Sequence, residues 1–217
     1  LALLGGFEVV PYDVRPHFMG AEAVAAPRLR VRELHVVDWV DPPNAERRDV
    51  FLLPPRWALE RLRGLLRRAE PRGQARRLLW IQRARATTRR VVNEEELLAA
   101  VRRLLGALPE AWEMETFSDS PLPTAAQTLR MFQNADIVVG FHGSGQANQV
   151  FCRPGTGIVD VNLPEPHSQY TAHNSYALGL RYRLVMMRGV ALHQAVNVMV
   201  LVEDVEEALR SLLREAR

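Results

Sequence analysis

From about residue 76 onward the chain alternates short apolar runs with segments whose apolar residues recur every three or four positions. That is the pattern of strands alternating with amphipathic helices. The apolar runs predict strands over 78–82, 112–117, 136–140, 157–162 and 181–187. The helical spacing predicts helices over 93–108, 124–135, 146–151, 170–178 and 205–215, while 196–202 fits neither pattern. Two helix starts carry capping chemistry: Asn93 ahead of Glu94, Glu95 and Glu96, and Thr124 ahead of its helix. Residues 136–140 are apolar and β-branched enough to be buried on both faces. Alternation at this spacing builds a parallel sheet with helices on both faces, so the expected class is α/β and Rossmann-like. Ligands of such sheets sit beyond the carboxyl ends of the strands, which directs attention to the residues after each one.

Ahead of this regular region, 56–69 has leucines at 59, 62, 65 and 66 with arginines between them, a helical spacing that ends before Pro71 and Gly73. That break is the expected boundary. It makes 1–75 a partial N-terminal domain or linker and 76–217 the ligand-binding domain. Residues 1–55 mix short apolar stretches with Pro11, Pro16, Pro27, Pro42 and Pro43, and read as short strands and turns. The chain opens on Leu1 rather than Met, so the expectation is a piece of a longer product with any signal or membrane anchor lying upstream. No run approaches the ~18 consecutive apolar residues of a membrane span.

At 217 residues and 47% hydrophobic content the chain can bury a full core. The balance of 28 basic against 25 acidic residues gives only +3, no basis for a nucleic-acid partner. Every basic residue is Arg, whose planar fork of donors suits phosphate. The lone Cys152 excludes an internal disulfide and a cysteine-based zinc cluster. No Asp-x-Asp occurs, so the paired-carboxylate device that holds a divalent cation against a diphosphate is missing. Arginine and a helix dipole are then expected to meet the phosphate charge without a metal.

The most informative stretch runs from Asp136 through Gly140, His142, Gly143, Ser144, Gly145 and Gln146 to Asn148. A buried strand enters a turn with glycines, an imidazole and a hydroxyl, and then a helix begins. Glycines let a diphosphate approach the backbone, and a helix start offers unpaired N–H groups. His142 is suited to donate to a phosphate oxygen or to act as an acid or base. The same turn would equally serve as a plain strand-to-helix connection with His142 as a structural residue. After the first strand come Arg83, Arg85, Arg89 and Arg90, guanidiniums placed either to clamp a diphosphate or to face solvent. Asp160, at the expected end of the fourth strand, suits ribose hydroxyls or a loop cap. Tyr170 and His167, in the following loop, are candidates for contact with a base or sugar. His35, Asp38 and Asp41 cluster upstream, where a general base for an acceptor hydroxyl, or simply structural residues, would fit.

Taken together, the elements Ile81-Gln82-Arg83, Arg89-Arg90-Val91-Val92-Asn93-Glu94, Gln127, His142 to Asn148, Phe151, Pro154-Gly155 and Val159-Asp160 resemble glycosyltransferase family 61 over roughly residues 77–190. The resemblance implies a GT-B fold of two facing Rossmann-like domains, this chain carrying the C-terminal, donor-binding one. It also implies inverting transfer from a UDP-sugar, such as UDP-xylose or UDP-N-acetylglucosamine, to a hydroxyl of a glycan or glycoprotein in the Golgi or endoplasmic reticulum lumen. On the matching positions, Arg83 and Arg89 or Arg90 would face the diphosphate. His142, Gly143, Ser144 and Gly145 would line the donor pocket, Asn148 would brace the turn, and Asp160 would hold the ribose. His142 and Asp38 are the candidates for catalysis. The chain departs from the family at Ser144, Gln146 and Ala147, where Ala and Leu-Thr are usual, and at Asp160, where Glu is more frequent.

Two other readings lack a required part. A serine hydrolase needs a Gly-x-Ser-x-Gly elbow, which is absent around Ser144. A dinucleotide-dependent oxidoreductase needs Gly-x-Gly-x-x-Gly after an early strand, whereas Gly143 and Gly145 follow a late one with no third glycine. The alternative that survives is a noncatalytic nucleotide- or glycan-binding partner of the same fold.

Overall fold

The computed structural model describes residues 54–66, 75–83, 86, 90–162, 169–187 and 197–215. In chain order its elements are α1 (Arg56–Leu66), β1 (Arg76–Ile81), β2 (Arg90–Val91), α2 (Glu94–Gly106), β3 (Trp112–Phe117), α3 (Ala125–Asn134) and β4 (Ile137–Phe141). A 3-10 helix over Ser144–Phe151 follows, then β5 (Gly157–Asn162), α4 (Tyr170–Ala177), β6 (Arg181–Met186), β7 (Asn197–Val198) and α5 (Val202–Arg214). Residues 1–53, which hold most of the expected N-terminal domain and both His35 and Asp38, lie outside the described residues.

Five strands form one parallel sheet in the order β3-β1-β4-β5-β6. Counting those five alone, the order is 2-1-3-4-5, one of the two common doubly wound arrangements. The expected α/β Rossmann-like class is the observed one. Side chains alternate along each strand, and each face has its own core. Leu78, Trp80, Val139, Phe141, Val159 and Val161 pack on one side with Leu97 and Val101 of α2 and Leu209 and Leu212 of α5. Leu79, Ile81, Val138 and Ile158 pack on the other with Leu59 of α1, Phe132 of α3, Val150 of the 3-10 helix and Leu178. Helix α1, ahead of the Pro71 and Gly73 break, is tied to this second layer by Arg63 Nη1 donating to Leu178 O at 2.9 Å and Gln133 Nε2 donating to Leu66 O at 3.1 Å.

Both central strands, β4 and β5, are buried along their whole length. This is what a parallel sheet covered on both faces demands and why 136–140 reads as a continuous apolar run. The Thr124 cap forms a reciprocal pair with Gln127, each side chain taking the other's backbone N–H. The Asn93 cap does not form: its side chain accepts no backbone N–H from the first turn of α2. Instead Asn93 Nδ2 donates to Val200 O at 2.7 Å and Oδ1 accepts from Val200 N at 3.3 Å, so the amide continues the short parallel pairing of β2 with β7. The pairing partner lies more than a hundred residues away, and the local sequence of a helix start carries no sign of it. The 196–202 segment thereby resolves into β7 and the start of α5. The helix expected over 146–151 begins earlier and winds as a tighter 3-10 coil, an unusually long run for that form.

Replacing Asn93 by Ala removes two hydrogen bonds that join sequence-distant backbone and leaves Val200 N–H and C=O without them. We expect a loss of about 1–3 kcal/mol in stability, read as a lowered denaturant midpoint with an unchanged slope. A midpoint equal to the parent's would show that water replaces the amide without cost.

Candidate functional site

Strands β1 and β4 are neighbours in the sheet, yet the chain after β1 crosses to the α2 face and the chain after β4 crosses to the face of the 3-10 helix. Departure of adjacent strands to opposite faces opens a crevice at their carboxyl ends. A cavity of about 300 Å³ lies there. Gln82 and Arg83 line it from the end of β1, and Phe141 from the end of β4. Arg90, Val91 and Val92 line it from β2 and its exit, and Glu94 and Glu95 from the start of α2.

The two segments singled out in the sequence meet at this crevice. Arg83 Nη1 donates to His142 O at 3.2 Å, and a Cβ built on Gly143 would lie 2.2 Å from Arg83 Nη1. The guanidinium therefore lies against the turn because residue 143 has no side chain. Tyr170 OH donates to Gly143 O at 2.8 Å, and its ring centroid stands 5.4 Å from that of His142. His142 is buried and its backbone N–H donates to Val161 O at 2.9 Å, extending the pairing beyond β4. Asn148 Nδ2 donates to Gly145 O at 3.0 Å and closes the 3-10 helix back on the turn. Gly145 packs its α-carbon on Ile81, whose Cγ2 would be 3.0 Å from an added Cβ. Ser144 is exposed at the rim. Arg90 is an exposed residue of β2 at the cavity, while Arg89, Arg85 and His167 lie outside the described residues.

Asp160 is not at this crevice. It is the fourth of six residues in β5, beside Gly140 in register, and the alternation of side chains sends it to the face opposite Phe141, under the 3-10 helix. There it is 0% exposed. Its Oδ2 accepts from Tyr182 OH at 2.9 Å and from Asn162 Nδ2 at 3.4 Å, and beside it Thr171 Oγ1 donates to Gln146 Oε1 at 3.4 Å. Gln146 in turn donates to Gly140 O at 3.1 Å. Gly140 has to be glycine, because an added Cβ would sit 2.6 Å from Gln146 Cγ and 2.9 Å from Ile81 Cδ1. The ribose role expected of Asp160 at a strand end thus meets a residue sealed inside the domain. The strand spans Gly157–Asn162 as expected; what the sequence left unassigned was the face on which residue 160 falls.

Burial pushes the Asp160 carboxyl up to about 6, the polar side chains around it opposing that rise, and both burial and Asp160 itself push the Tyr182 hydroxyl up. Cys152, buried without a role in the cavity, is pushed up to about 12 by desolvation. The sequence reading missed Glu94 and Glu95 as cavity residues because they read as a charged first turn. One signal was available: Trp80, on a strand otherwise apolar, needs a partner for its indole N–H when buried. It finds Glu94 Oε1 at 2.9 Å.

A doubly wound sheet with an arginine-bearing crevice at its switch point defines a class, the Rossmann-like α/β domains. The glycosyltransferase 61 family matches residues 9–159, and the chain belongs to that family. None of the curated proteins matches it. Among solved structures it is similar to two variants of a flavo di-iron protein from Thermotoga maritima, each at 10% identity, with TM-scores of 0.46 and 0.45. These alignments take in 68% of this chain and 37% and 36% of those. An oxidoreductase from Corynebacterium diphtheriae is similar at 14% identity and a TM-score of 0.41, over 66% of this chain and 99% of that one. The chain thus spans little more than a third of the flavo di-iron proteins.

The folded pKa of Asp160 lies above the unfolded value of 3.8. Between those values the folded chain holds a proton that the unfolded chain has released, so this group's contribution falls as pH rises through the window. Its unfavourable share is complete above pH 6 and absent below about 4. Relative to an Asp160→Asn variant, the parent should gain stability on acidification from pH 7.5 to 4.5, by up to about 2 kcal/mol. Thermal midpoints of both proteins across that range check the sign. Parallel curves would place the carboxyl pKa near its ordinary value.

Proposed function

We propose that the chain is the donor-binding part of an inverting, metal-independent glycosyltransferase that takes a UDP-sugar, such as UDP-xylose or UDP-N-acetylglucosamine, to a hydroxyl of a glycan or glycoprotein. The observation that carries the reading is that Arg83 and Arg90 line one crevice, with Arg83 joined to the carbonyl of His142, in a member of this family. In this reading Arg83 and Arg90 meet the charge that accumulates on the departing diphosphate. That stabilisation counts for more in a partly desolvated crevice than in water. His142, held between Gly143, Tyr170 and the sheet, is assigned to the diphosphate side of the reaction. The absence of Asp-x-Asp and the presence of two guanidiniums support transfer without a metal. A two-domain GT-B enzyme, the pentosyl or hexosyl nature of the sugar, and residence in the Golgi or endoplasmic reticulum lumen belong to the same proposal, and rest on the family. Among the described residues no helix is long and apolar enough to cross a membrane.

Calorimetric titration of the chain with UDP, GDP and NAD tests the donor site. UDP should bind equally well with and without a chelator, and Arg83→Ala should weaken it roughly ten- to hundred-fold, the worth of a charge-assisted hydrogen bond. Loss of UDP binding on chelation would sink the metal-independent mechanism. Selective binding of NAD, or an Arg83→Ala variant that binds UDP like the parent, would sink the site itself.

A further inference from the structure

The cavity at the switch point carries both signs of charge, and its acidic part has no place in a site that holds only phosphate. Arg83 and Arg90 stand with Glu94 and Glu95 around the same 300 Å³. Glu94 is also fixed: the indole N–H of Trp80, a residue with 0% exposure, occupies its Oε1 at 2.9 Å. Trp80 in turn packs edge-on against Phe141, another wall of the cavity, with ring centroids 5.4 Å apart. A carboxylate pinned by one donor keeps acceptor capacity on its other oxygen and remaining lone pairs. Such a group repels a phosphate oxygen and attracts a hydroxyl, the more so because its orientation is set before any ligand arrives.

We infer that Glu94 receives the ribose hydroxyls of the nucleotide, the role that the buried Asp160 is not placed to fill. This inference rests on the donor-site reading above and assigns a second contact within it. A ligand matching the charge pattern carries an anionic group for the guanidiniums and, some distance away, neutral hydroxyl donors. A nucleoside diphosphate has both, its diphosphate and its vicinal diol. Glu95, more exposed on the same turn, adds to the negative potential that keeps the phosphates at the arginine end.

The test separates the two ends of the ligand. The full chain and Glu94→Gln are titrated with UDP, 2′,3′-dideoxy-UDP and inorganic pyrophosphate, with thermal midpoints recorded for both proteins. Glutamine keeps an oxygen for the Trp80 indole, so the fold and the cavity wall are retained. In the parent, UDP should bind roughly ten- to hundred-fold more tightly than the dideoxy compound, the worth of charge-assisted hydrogen bonds. Glu94→Gln should erase most of that gap by weakening UDP alone. Pyrophosphate should bind Glu94→Gln as well as the parent or better, because a repelling charge has gone. Opposite responses of UDP and pyrophosphate are outside the reach of general destabilisation. Equal affinity of the parent for UDP and its dideoxy form, or equal weakening of UDP and pyrophosphate in the variant, would overturn the assignment of Glu94 while leaving the donor site standing. A parent that binds pyrophosphate and UDP not at all would overturn both.

Discussion

Neighbouring strands β1 and β4 send the chain to opposite faces of the sheet, and what this domain can bind depends on that reversal. Everything else at the crevice is a consequence of it. The loop after β1 delivers Arg83 to the α2 side, the loop after β4 delivers His142 and Gly143 to the other, and one guanidinium-to-carbonyl hydrogen bond bridges them. Had both loops turned the same way, the glycine turn would pack as an ordinary connection, and the arginines would face solvent. The reversal needs short, fully buried central strands, which the apolar run at 137–141 supplies, and a close approach of Ile81 and Gln146 to Gly140 that no larger residue permits.

The periodicity of the chain made most of this fold legible. Apolar runs located the five main strands to within about two residues, and Thr124 marked a helix start by local capping chemistry. What the sequence concealed depends on contacts between distant residues. Asn93 has the spacing of a cap, and a local reading has no access to Val200, which claims both of its amide atoms. The β2 and β7 strands are two residues each, too short for any period to register. At the site, Arg83, His142 and Gly143 could be found because each follows directly on a strand end. Glu94 and Glu95 could not, since acidic residues in a first helical turn already have a sufficient explanation in the helix dipole.

Asp160 shows how a strand-end argument fails. The rule that ligands meet residues beyond the carboxyl ends of strands says nothing about a residue still inside the strand, where alternation decides which face it serves. One step of alternation moves a candidate ribose contact into the interior. There Tyr182, Asn162, Gln146 and Thr171 enclose it. The cost is visible in the carboxyl itself, which burial raises by about two units despite these donors.

That cost bears on why a carboxyl is there at all. A buried ionised group is tolerated where its hydrogen bonds fix something that an apolar residue would leave loose. The Asp160 cluster reaches through Gln146 to Gly140 O, the last turn of backbone before His142, and through Tyr182 to the edge strand β6. An isoleucine in its place would fill the space but would offer no oxygen to the Tyr182 hydroxyl or the Asn162 amide. Gln146 is the side chain that holds the base of the 3-10 helix against the sheet, and that helix continues the turn whose His142 carbonyl Arg83 reaches. The interior polar cluster and Arg83 therefore act on the same turn from opposite sides, one holding Gly140 and the other the His142 carbonyl.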